Sequence, residues 1–202
     1  MKYTELSLKN LKEISMAEAT VIGRDFPVNL IIYVARAGLP IALYMNEIFD
    51  AKLLGIGAQR KGNALKSKIA PLVAYCPRFV RDILITIELK TKIHKRNRER
   101  NIEFHKSICD LVVDNYDNIL IVDDSVDTGN SMKLVYEAVQ SKFPKANIKT
   151  YSLNVWNESK SVFVTDYSSY ENTVIRAPMS KDSREYKIFC ELYDRESEND
   201  YL

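Results

Sequence analysis

Two adjacent carboxylates and a run of glycine and hydroxyl residues directly follow an apolar segment of the chain. Residues 119–122 have the length and composition of a buried strand, and Asp123 and Asp124 come immediately after them. Two neighbouring anions tolerate each other best when they face sugar hydroxyls or a cation. The pattern therefore predicts a strand that presents acids to a polar ligand at the edge of a sheet.

The residues that follow the acids have the properties of a phosphate-binding turn. Gly129 permits positive φ and close backbone approach, and Thr128 and Ser131 supply hydroxyl donors. Apolar residues then recur at spacings of three and four and predict a helix, whose free amides add partial positive charge. The complete turn consists of Asp127, Thr128, Gly129, Asn130 and Ser131. This short segment is predicted to hold a phosphorylated sugar at both of its ends.

Strand and helix signals alternate along the chain as a parallel sheet demands. A first helix, with Thr4 as its predicted cap, precedes a strand at 30–34, a helix at 39–49 and a strand at 53–58. After the acidic segment, a last central strand is predicted at 148–155. The fold class is therefore α/β, with a central, mostly parallel sheet flanked by helices.

Composition and charge are those of an ordinary globular enzyme. The 202 residues are 46% hydrophobic, enough for the core of one α/β domain, and the net charge of +2 does not point to nucleic acid or to a membrane surface. No apolar run is long enough to span a bilayer, and the first residues lack the apolar core of a signal peptide, so we expect a cytoplasmic protein.

Cysteines and histidines do not suggest a metal or redox site. The three cysteines are odd in number and far apart, which favours reduced core thiols, and no spacing is typical of zinc. Surface or packing roles are expected for both histidines. These residues are Cys76, Cys109, Cys190, His94 and His105.

The segment from Asn118 to Ser131 resembles the phosphoribosyl-pyrophosphate (PRPP) binding motif of the type I phosphoribosyltransferases. In that motif a hydrophobic strand leads into two acidic residues and then a loop of an acidic residue, Thr, Gly, any residue and Ser or Thr. The resemblance implies that Asp123 and Asp124 contact the ribose hydroxyls, directly or through magnesium. It also implies that the turn from Asp127 to Ser131 binds the 5-phosphate, with a homodimer as the assembly.

Asp127 has two possible roles in the reaction that the resemblance implies. It can remove a proton from the acceptor nitrogen, or it can electrostatically favour a transition state of oxocarbenium character.

A basic loop follows the first predicted strand of the sheet. Arg36 offers a guanidinium, and the backbone at Ala37 and Gly38 offers amides, which together suit a pyrophosphate; a solvated arginine in an ordinary turn is the alternative. The loop resembles the pyrophosphate loop of the same family, which usually has two glycines and often a non-proline cis peptide, whereas this chain has Ala37 at the first glycine. Arg60 and Lys61 resemble basic residues that the family places near the pyrophosphate.

Residues from about 66 to 115 depart from the family, which usually has a mobile hairpin there. Apolar residues after Pro77 recur at helical spacing and predict a helical insertion. A basic cluster from Lys90 to Arg100 follows. It is interpreted as a solvated helix end, with a lid over pyrophosphate or a dock for an acidic partner as the alternatives.

Residues 1–155 are predicted to form the PRPP-binding core, and residues 156–202 a small C-terminal hood whose acidic end, 191–202, frays. This arrangement resembles the 6-oxopurine branch of the family, closest to the bacterial xanthine and hypoxanthine-guanine enzymes, in which the hood recognises the base.

The predicted acceptor residues depart from that branch. Asn154 stands where the branch usually has a lysine that donates to the base, and Val174 lies near the place of its stacking aromatic residue. Losing both contacts removes a few kcal/mol of base recognition, so guanine and hypoxanthine are not secure acceptors. Trp156, Tyr167 or Tyr170 supplies a different stacking face, with packing as the alternative for Trp156, which directly follows a core strand.

The sequence thus favours a magnesium-dependent phosphoribosyltransferase that acts on PRPP and a small, purine-like or other nitrogenous acceptor. One alternative is a PRPP-binding regulator without turnover, although no helix-turn-helix segment or broad basic face is evident. The other is phosphoribosyl transfer in glycan or secondary metabolism, which would explain the altered hood.

Overall fold

The computed structural model describes residues 2–60, 100–104 and 115–199. The chain divides into two compact units, Met1–Ala58 with Ile102–Leu202, and Gln59–Asn101. Most of the predicted helical insertion at 66–115 lies outside the described residues. Its described part at 100–104 is a strand and not a helix, because Ile102 and Phe104 alternate with polar residues at the period of a strand.

The elements follow one another in the order that the alternating signals predict. They are β1 (Lys2–Glu5), α1 (Leu8–Asp25), β2 (Leu30–Ala35), α2 (Gly38–Phe49), β3 (Lys52–Arg60), β4 (Arg100–Phe104), β5 (Asn118–Val126), α3 (Asn130–Lys142), β6 (Asn147–Val155), a 3₁₀ turn (Asn157–Ser161), β7 (Tyr167–Glu171), β8 (Thr173–Arg176) and α4 (Tyr186–Asn199).

The main sheet has the strand order β4-β3-β2-β5-β6-β7. The neighbouring pairs from β3 through β7 are all parallel, as the α/β prediction requires. A second sheet consists of β1 and β8, which also run parallel. Parallel neighbours place their carboxyl ends at one edge, so the loops after β2, β5 and β6 emerge on the same side.

Helices cover both faces of the main sheet. Alternate residues of β5 point in opposite directions: Leu120 and Val122 join the core formed with α1, α2 and α4, whereas Ile119 and Ile121 join the core formed with α3. This two-sided burial explains why the centre of β5 is a continuous apolar run. No helix among the described residues has the length and apolarity that a membrane crossing requires.

The first helix begins later than Thr4, which lies in β1. Ser7 is the N-cap: its hydroxyl accepts a hydrogen bond from the Asn10 amide at 3.1 Å, and the Asn10 side chain accepts one from the Ser7 amide at 3.4 Å. Both residue types suit a cap, but only Ser7 has a partner of this kind three residues later.

The acidic C-terminal segment is helical through Asn199, so the prediction that residues from 191 onward fray is wrong for 191–199. Phe189 is 3% exposed in the core, and Tyr186, Cys190 and Tyr193 pack beside it. These residues recur at spacings of three and four, so burial of one face holds the helix in place despite its acidic remainder.

Candidate functional site

The predicted ligand-binding loops meet at the carboxyl edge of the main sheet. Tyr33 of β2 is paired with Val122 of β5, so Ala35 and Arg36 lie level with the acidic end of β5. On the other side of β5, Ser125 is paired with Asn154 of β6. The register therefore brings the basic loop after β2, the acids of β5 and the end of β6 to one place.

The two acids at this edge differ in exposure. Asp123 is 7% exposed, and its Oδ1 accepts a hydrogen bond from the Asp124 amide at 2.9 Å. Burial raises the pKa of the Asp123 carboxyl well above its usual range, and the neighbouring charge of Asp124 raises it further. Burial also raises the pKa of Asp124, which is half-buried. A cation or hydroxyl donors from a ligand would stabilise the ionised pair.

The turn after β5 is closed by its own side chains. The Ser125 hydroxyl donates to Asp127 Oδ1 at 2.7 Å, and Asn130 Nδ2 donates to Thr128 Oγ1 at 3.1 Å. Gly129 adopts φ 77°, and a Cβ at this position would lie 2.9 Å from the Ser159 carbonyl oxygen. Only glycine therefore fits this turn without strain.

Gly129 is also the N-cap of α3, which begins at Asn130. Because glycine has no side chain, the cap residue does not accept hydrogen bonds from the first amides of the helix. Those amides carry the positive end of the helix dipole and suit an anionic oxygen. Together with the hydroxyls of Thr128 and Ser131, they form an arrangement that can bind a phosphate.

The basic loop after β2 packs tightly against β5. A Cβ on Gly38 would lie 2.7 Å from the Val122 carbonyl oxygen and 3.6 Å from the Asp123 Cα, so the loop passes directly beside the acid pair. The peptide bond between Ala35 and Arg36 is cis. Arg36 is exposed, with its guanidinium carbon 4.4 Å from the centre of the Tyr193 ring.

Of the other residues predicted to bind pyrophosphate, only Ala37 directly follows Arg36. Ala37 precedes α2 as its N-cap residue. Arg60 ends β3 and belongs to the smaller unit, whereas Lys61 lies outside the described residues.

The predicted acceptor residues are only partly brought together. Asn154 is 4% exposed, and its Oδ1 accepts a hydrogen bond from the Thr173 amide at 3.3 Å. This bond ties the first residue of β8 to the end of β6, which places Val174 one residue farther along β8. Val174 is 37% exposed and is paired with Tyr3 in the small sheet.

The three aromatic residues predicted as stacking faces do not lie in one place. Trp156 directly follows β6, with its amide donating to the Val126 carbonyl at 3.1 Å, so it lies at the carboxyl edge. Tyr167 is paired with Tyr151 at the amino end of β7, and it packs against the core. Of the two predicted tyrosines, Tyr170 is the one that lies level with Asn154.

Several residues that the sequence predictions omitted take part in the site. Ser125 binds the predicted catalytic Asp127, and Asn172 links β7 to the carboxyl edge by donating its amide hydrogen to the Val155 carbonyl at 3.0 Å. Tyr193 and Asp194 of α4 reach Arg36. The position of Ser125 between the acids and Asp127 was a usable signal, whereas the α4 contact depends on tertiary structure.

The acid pair has the chemistry of a partial magnesium site. Within the described ranges, no group of three or more His, Cys, Asp or Glu side chains is arranged to hold a metal. Two carboxylates supply the hard oxygen ligands that magnesium prefers, and magnesium is commonly held by one or two carboxylates together with substrate phosphates. The residues present thus fit a metal that arrives with, and is shared by, a phosphorylated ligand.

Several solved structures are similar to this chain. A purine phosphoribosyltransferase from Pyrococcus horikoshii Ot3 is 22% identical, with a TM-score of 0.58 and coverage of 87% of this chain and 94% of that one. The xanthine-guanine-hypoxanthine phosphoribosyltransferase of Helicobacter pylori is 17% identical, with a TM-score of 0.64 and coverage of 92% and 99%. A hypothetical protein from Neisseria gonorrhoeae with bound ppGpp is 10% identical, with a TM-score of 0.55 and coverage of 96% and 97%.

No protein-family model and no curated protein sequence matches the chain. The likeness to solved structures extends over nearly the whole chain, and the parallel sheet flanked by helices is common to them. The fold predicted from the PRPP-binding segment is thereby confirmed: this chain has the fold of the type I phosphoribosyltransferases, with purine phosphoribosyltransferases among its structural relatives.

Proposed function

We propose that this protein is a phosphoribosyltransferase that transfers the phosphoribosyl group of PRPP to a nitrogenous, purine-like acceptor and releases pyrophosphate. The observation that supports it best is the meeting of three elements at one sheet edge. These are the acid pair of Asp123 and Asp124, the glycine turn at Gly129, and the basic loop at Arg36. Each suits one part of PRPP: the ribose, the 5-phosphate and the pyrophosphate.

The chemistry of the reaction matches these charges. Displacement of pyrophosphate from the anomeric carbon builds positive charge on the ribose and negative charge on the leaving group. In our proposal Asp123 and Asp124 hold the ribose hydroxyls, and Arg36 with the amides at Ala37 and Gly38 holds the pyrophosphate. Magnesium, when bound by the two acids and the substrate, would neutralise part of the pyrophosphate charge.

In our proposal Asp127 acts at the reacting centre. It follows the acid pair in the same turn, and its hydrogen bond from Ser125 fixes one carboxylate oxygen while the other remains to accept a proton. We assign it either of the two roles open from the sequence, removal of a proton from the acceptor nitrogen or stabilisation of the positive ribose.

For the acceptor we propose a chemical class, the purine-like rings, and not a single compound. Two structural relatives are named for purine, xanthine, guanine and hypoxanthine, which supports a purine-like ring. Asn154 provides a neutral amide at the end of β6, and its bond to Thr173 fixes the oxygen and leaves the amide nitrogen as donor. Val174 provides an aliphatic contact and Trp156 an aromatic one. An acceptor carbonyl oxygen suits such a donor, and no cationic side chain is required.

A PRPP-binding or nucleotide-binding regulator is the second candidate. The fold similarity to a Neisseria gonorrhoeae protein with bound ppGpp favours it, because such a ligand also carries diphosphate groups. Phosphoribosyl transfer in glycan or secondary metabolism remains a variant of the first proposal. A cytoplasmic location, a homodimeric assembly, a hood beginning at residue 156 and roles for Arg60 and Lys61 also stay predictions.

The test is pyrophosphate release from PRPP and magnesium with a panel of purines, deazapurines, pyrimidines and other nitrogen heterocycles. Release that depends on one acceptor establishes the enzyme and names the acceptor class. The double variant D123N/D124N is the matched control and should lose PRPP binding in calorimetry. If the unaltered protein binds PRPP or ppGpp but releases no pyrophosphate with any acceptor, the regulator is the better description.

A further inference from the structure

The C-terminal helix α4 contacts the arginine that we assign to the pyrophosphate. The Arg36 guanidinium carbon lies 4.4 Å from the centre of the Tyr193 ring, and its Nη2 lies 3.7 Å from Asp194 Oδ1. Both partners come from adjacent positions of one helix that is more than 150 residues away in sequence. The predicted anion-binding loop and the C-terminus of the chain are therefore in direct contact.

The two contacts use different parts of the guanidinium. An aromatic ring attracts the face of the group and leaves the N–H donors at its edge available. A carboxylate instead attracts those donors, which are the same ones that a phosphate needs. The Tyr193 contact is thus compatible with an anion bound to Arg36. The Asp194 carboxylate instead takes the place at the guanidinium edge where such an anion would bind.

Aromatic residues hold α4 in a fixed position beside the Arg36 loop. Phe189 is buried in the core, with Tyr186 and Tyr193 at ring distances of 5.9 and 6.4 Å from it. The Asp194 side chain itself is 71% exposed and the Arg36 side chain 50% exposed. The aromatic residues therefore fix the helix, while the ion pair is free to open when a stronger anion arrives.

We propose that α4 acts on Arg36 in two opposite ways: Tyr193 positions the guanidinium for the pyrophosphate group, and Asp194 competes with that group for the same donors. This inference rests on the proposed function, because it takes the pyrophosphate as the competing anion. Binding of PRPP replaces the Asp194 contact and keeps the Tyr193 contact. The helix thereby sets the affinity for PRPP and the ease with which pyrophosphate leaves.

The test compares calorimetric Kd values for magnesium–PRPP and for inorganic pyrophosphate. Asp194→Asn should tighten both by roughly two- to fivefold, the range of an exposed ion pair. Glu196→Gln is the matched control, because it removes the same charge from another side of α4, and it should change neither value. The gain from Asp194→Asn should shrink in 1 M salt, where charges are screened beyond about 3 Å.

Tyr193→Leu should weaken both ligands by roughly two- to fivefold, as expected for an exposed cation–π contact. Tyr193→Phe keeps the ring and should restore the unaltered affinity. In an Arg36→Ala background, neither Asp194→Asn nor Tyr193→Leu should have any further effect. If α4 had a purely structural role, both substitutions would change the Kd values in the same direction. They would do so with or without Arg36.

The outcomes separate the two proposals. If the unaltered protein binds PRPP and pyrophosphate but Asp194→Asn leaves both Kd values unchanged or raises them, the competition is refuted and the proposed function stands. If Tyr193→Leu binds as tightly as the unaltered protein, the positioning role is refuted. If the unaltered protein binds neither ligand, the proposed function fails and this inference fails with it.

Discussion

At the scale of single residues, the most consequential feature is the burial of one acid of a pair. Asp123 is nearly inaccessible, whereas Asp124 is half-buried, although they are neighbours in sequence and chemically identical. The sequence predicted both as ligand contacts, but it did not distinguish them. The difference follows from the alternation of β5, which directs successive side chains to opposite faces.

Asp123→Asn should stabilise the protein at pH 7 and strongly weaken PRPP binding. The pKa of Asp123 is raised in the folded state, so folding favours its protonated form. Stability is then complete below the pKa of the unfolded chain and falls as pH rises through the folded pKa. Asparagine has nearly the shape of the protonated carboxyl and is uncharged at every pH. Its Oδ1 can still accept the hydrogen bond from the Asp124 amide.

The measurement is urea denaturation of the unaltered protein and the variant between pH 3 and pH 8. We expect a higher free energy of unfolding for Asp123→Asn at neutral pH and convergence of the two proteins below about pH 4. PRPP affinity at pH 7 should fall at least about 100-fold, since charge-assisted bonds to the ribose are lost. Asp117→Asn, on an exposed residue before the same strand, is the control. A variant less stable than the unaltered protein at pH 7 would contradict this account.

Asp127→Asn should separate binding from chemistry. The amide can still accept from Ser125, so the turn is retained, and PRPP affinity should stay within about threefold. The turnover number should fall by about 10²–10⁴, as expected for loss of a general base. Steady-state pyrophosphate release and calorimetry together check this. Ser125→Ala removes the positioning bond alone and should lose less turnover; full activity of Asp127→Asn would end the catalytic assignment.

At the scale of elements, strands were easier to predict than helix ends. The apolar runs that became β2, β5 and β6 were found from composition alone, because burial on both faces requires such runs. The start of α1 depended on Asn10 accepting from Ser7, a reciprocal pair that a single cap residue does not reveal. The sequence did not predict α4, because charged residues separate the aromatic residues that form its buried face.

Gly129→Ala tests the element that joins β5 to α3. An alanine there has to adopt a positive φ, and its methyl group would lie 2.9 Å from the Ser159 carbonyl oxygen. We expect a loss of about 1–3 kcal/mol in the free energy of unfolding and weaker binding of the 5-phosphate. Thermal and urea denaturation measure the first effect, and ribose 5-phosphate titration measures the second.

Gly23→Ala is the matched control for that substitution. Gly23 lies within α1, and the nearest atom to an added Cβ belongs to the Phe49 ring at 3.3 Å. Its stability change should be smaller, because helical backbone suits alanine and a ring edge can shift. A greater loss for Gly23→Ala than for Gly129→Ala would show that the turn tolerates a side chain.

At the scale of the whole molecule, segments that are far apart in sequence pack together. The sequence did not indicate that β7 extends the main sheet, that β8 pairs with β1, or that α4 packs on the core of β2 and β5. Such long-range contacts leave no local periodicity, so a single sequence predicts the elements but not these pairings.

Phe189→Ala tests whether α4 belongs to the common core. The ring is 3% exposed, and its removal should cost about 3–5 kcal/mol of unfolding free energy in a single cooperative transition. Ile188→Ala, on a side chain of the same helix that is 53% exposed, should change stability by about 0.5 kcal/mol or less. Urea denaturation measures both free energies of unfolding. Equal, small losses for the two substitutions would show that α4 is not part of the common core.

The pairing of β1 with β8 has a consequence for synthesis on the ribosome. Lys2 is paired with Thr173, so the first strand emerges long before its partner has been translated. Until then its backbone amides and carbonyls have water as their partner, and the closing of that sheet awaits translation of residues 173–176. A nascent chain arrested before Thr173 would therefore carry an unpaired edge, open to chaperones and to neighbouring chains.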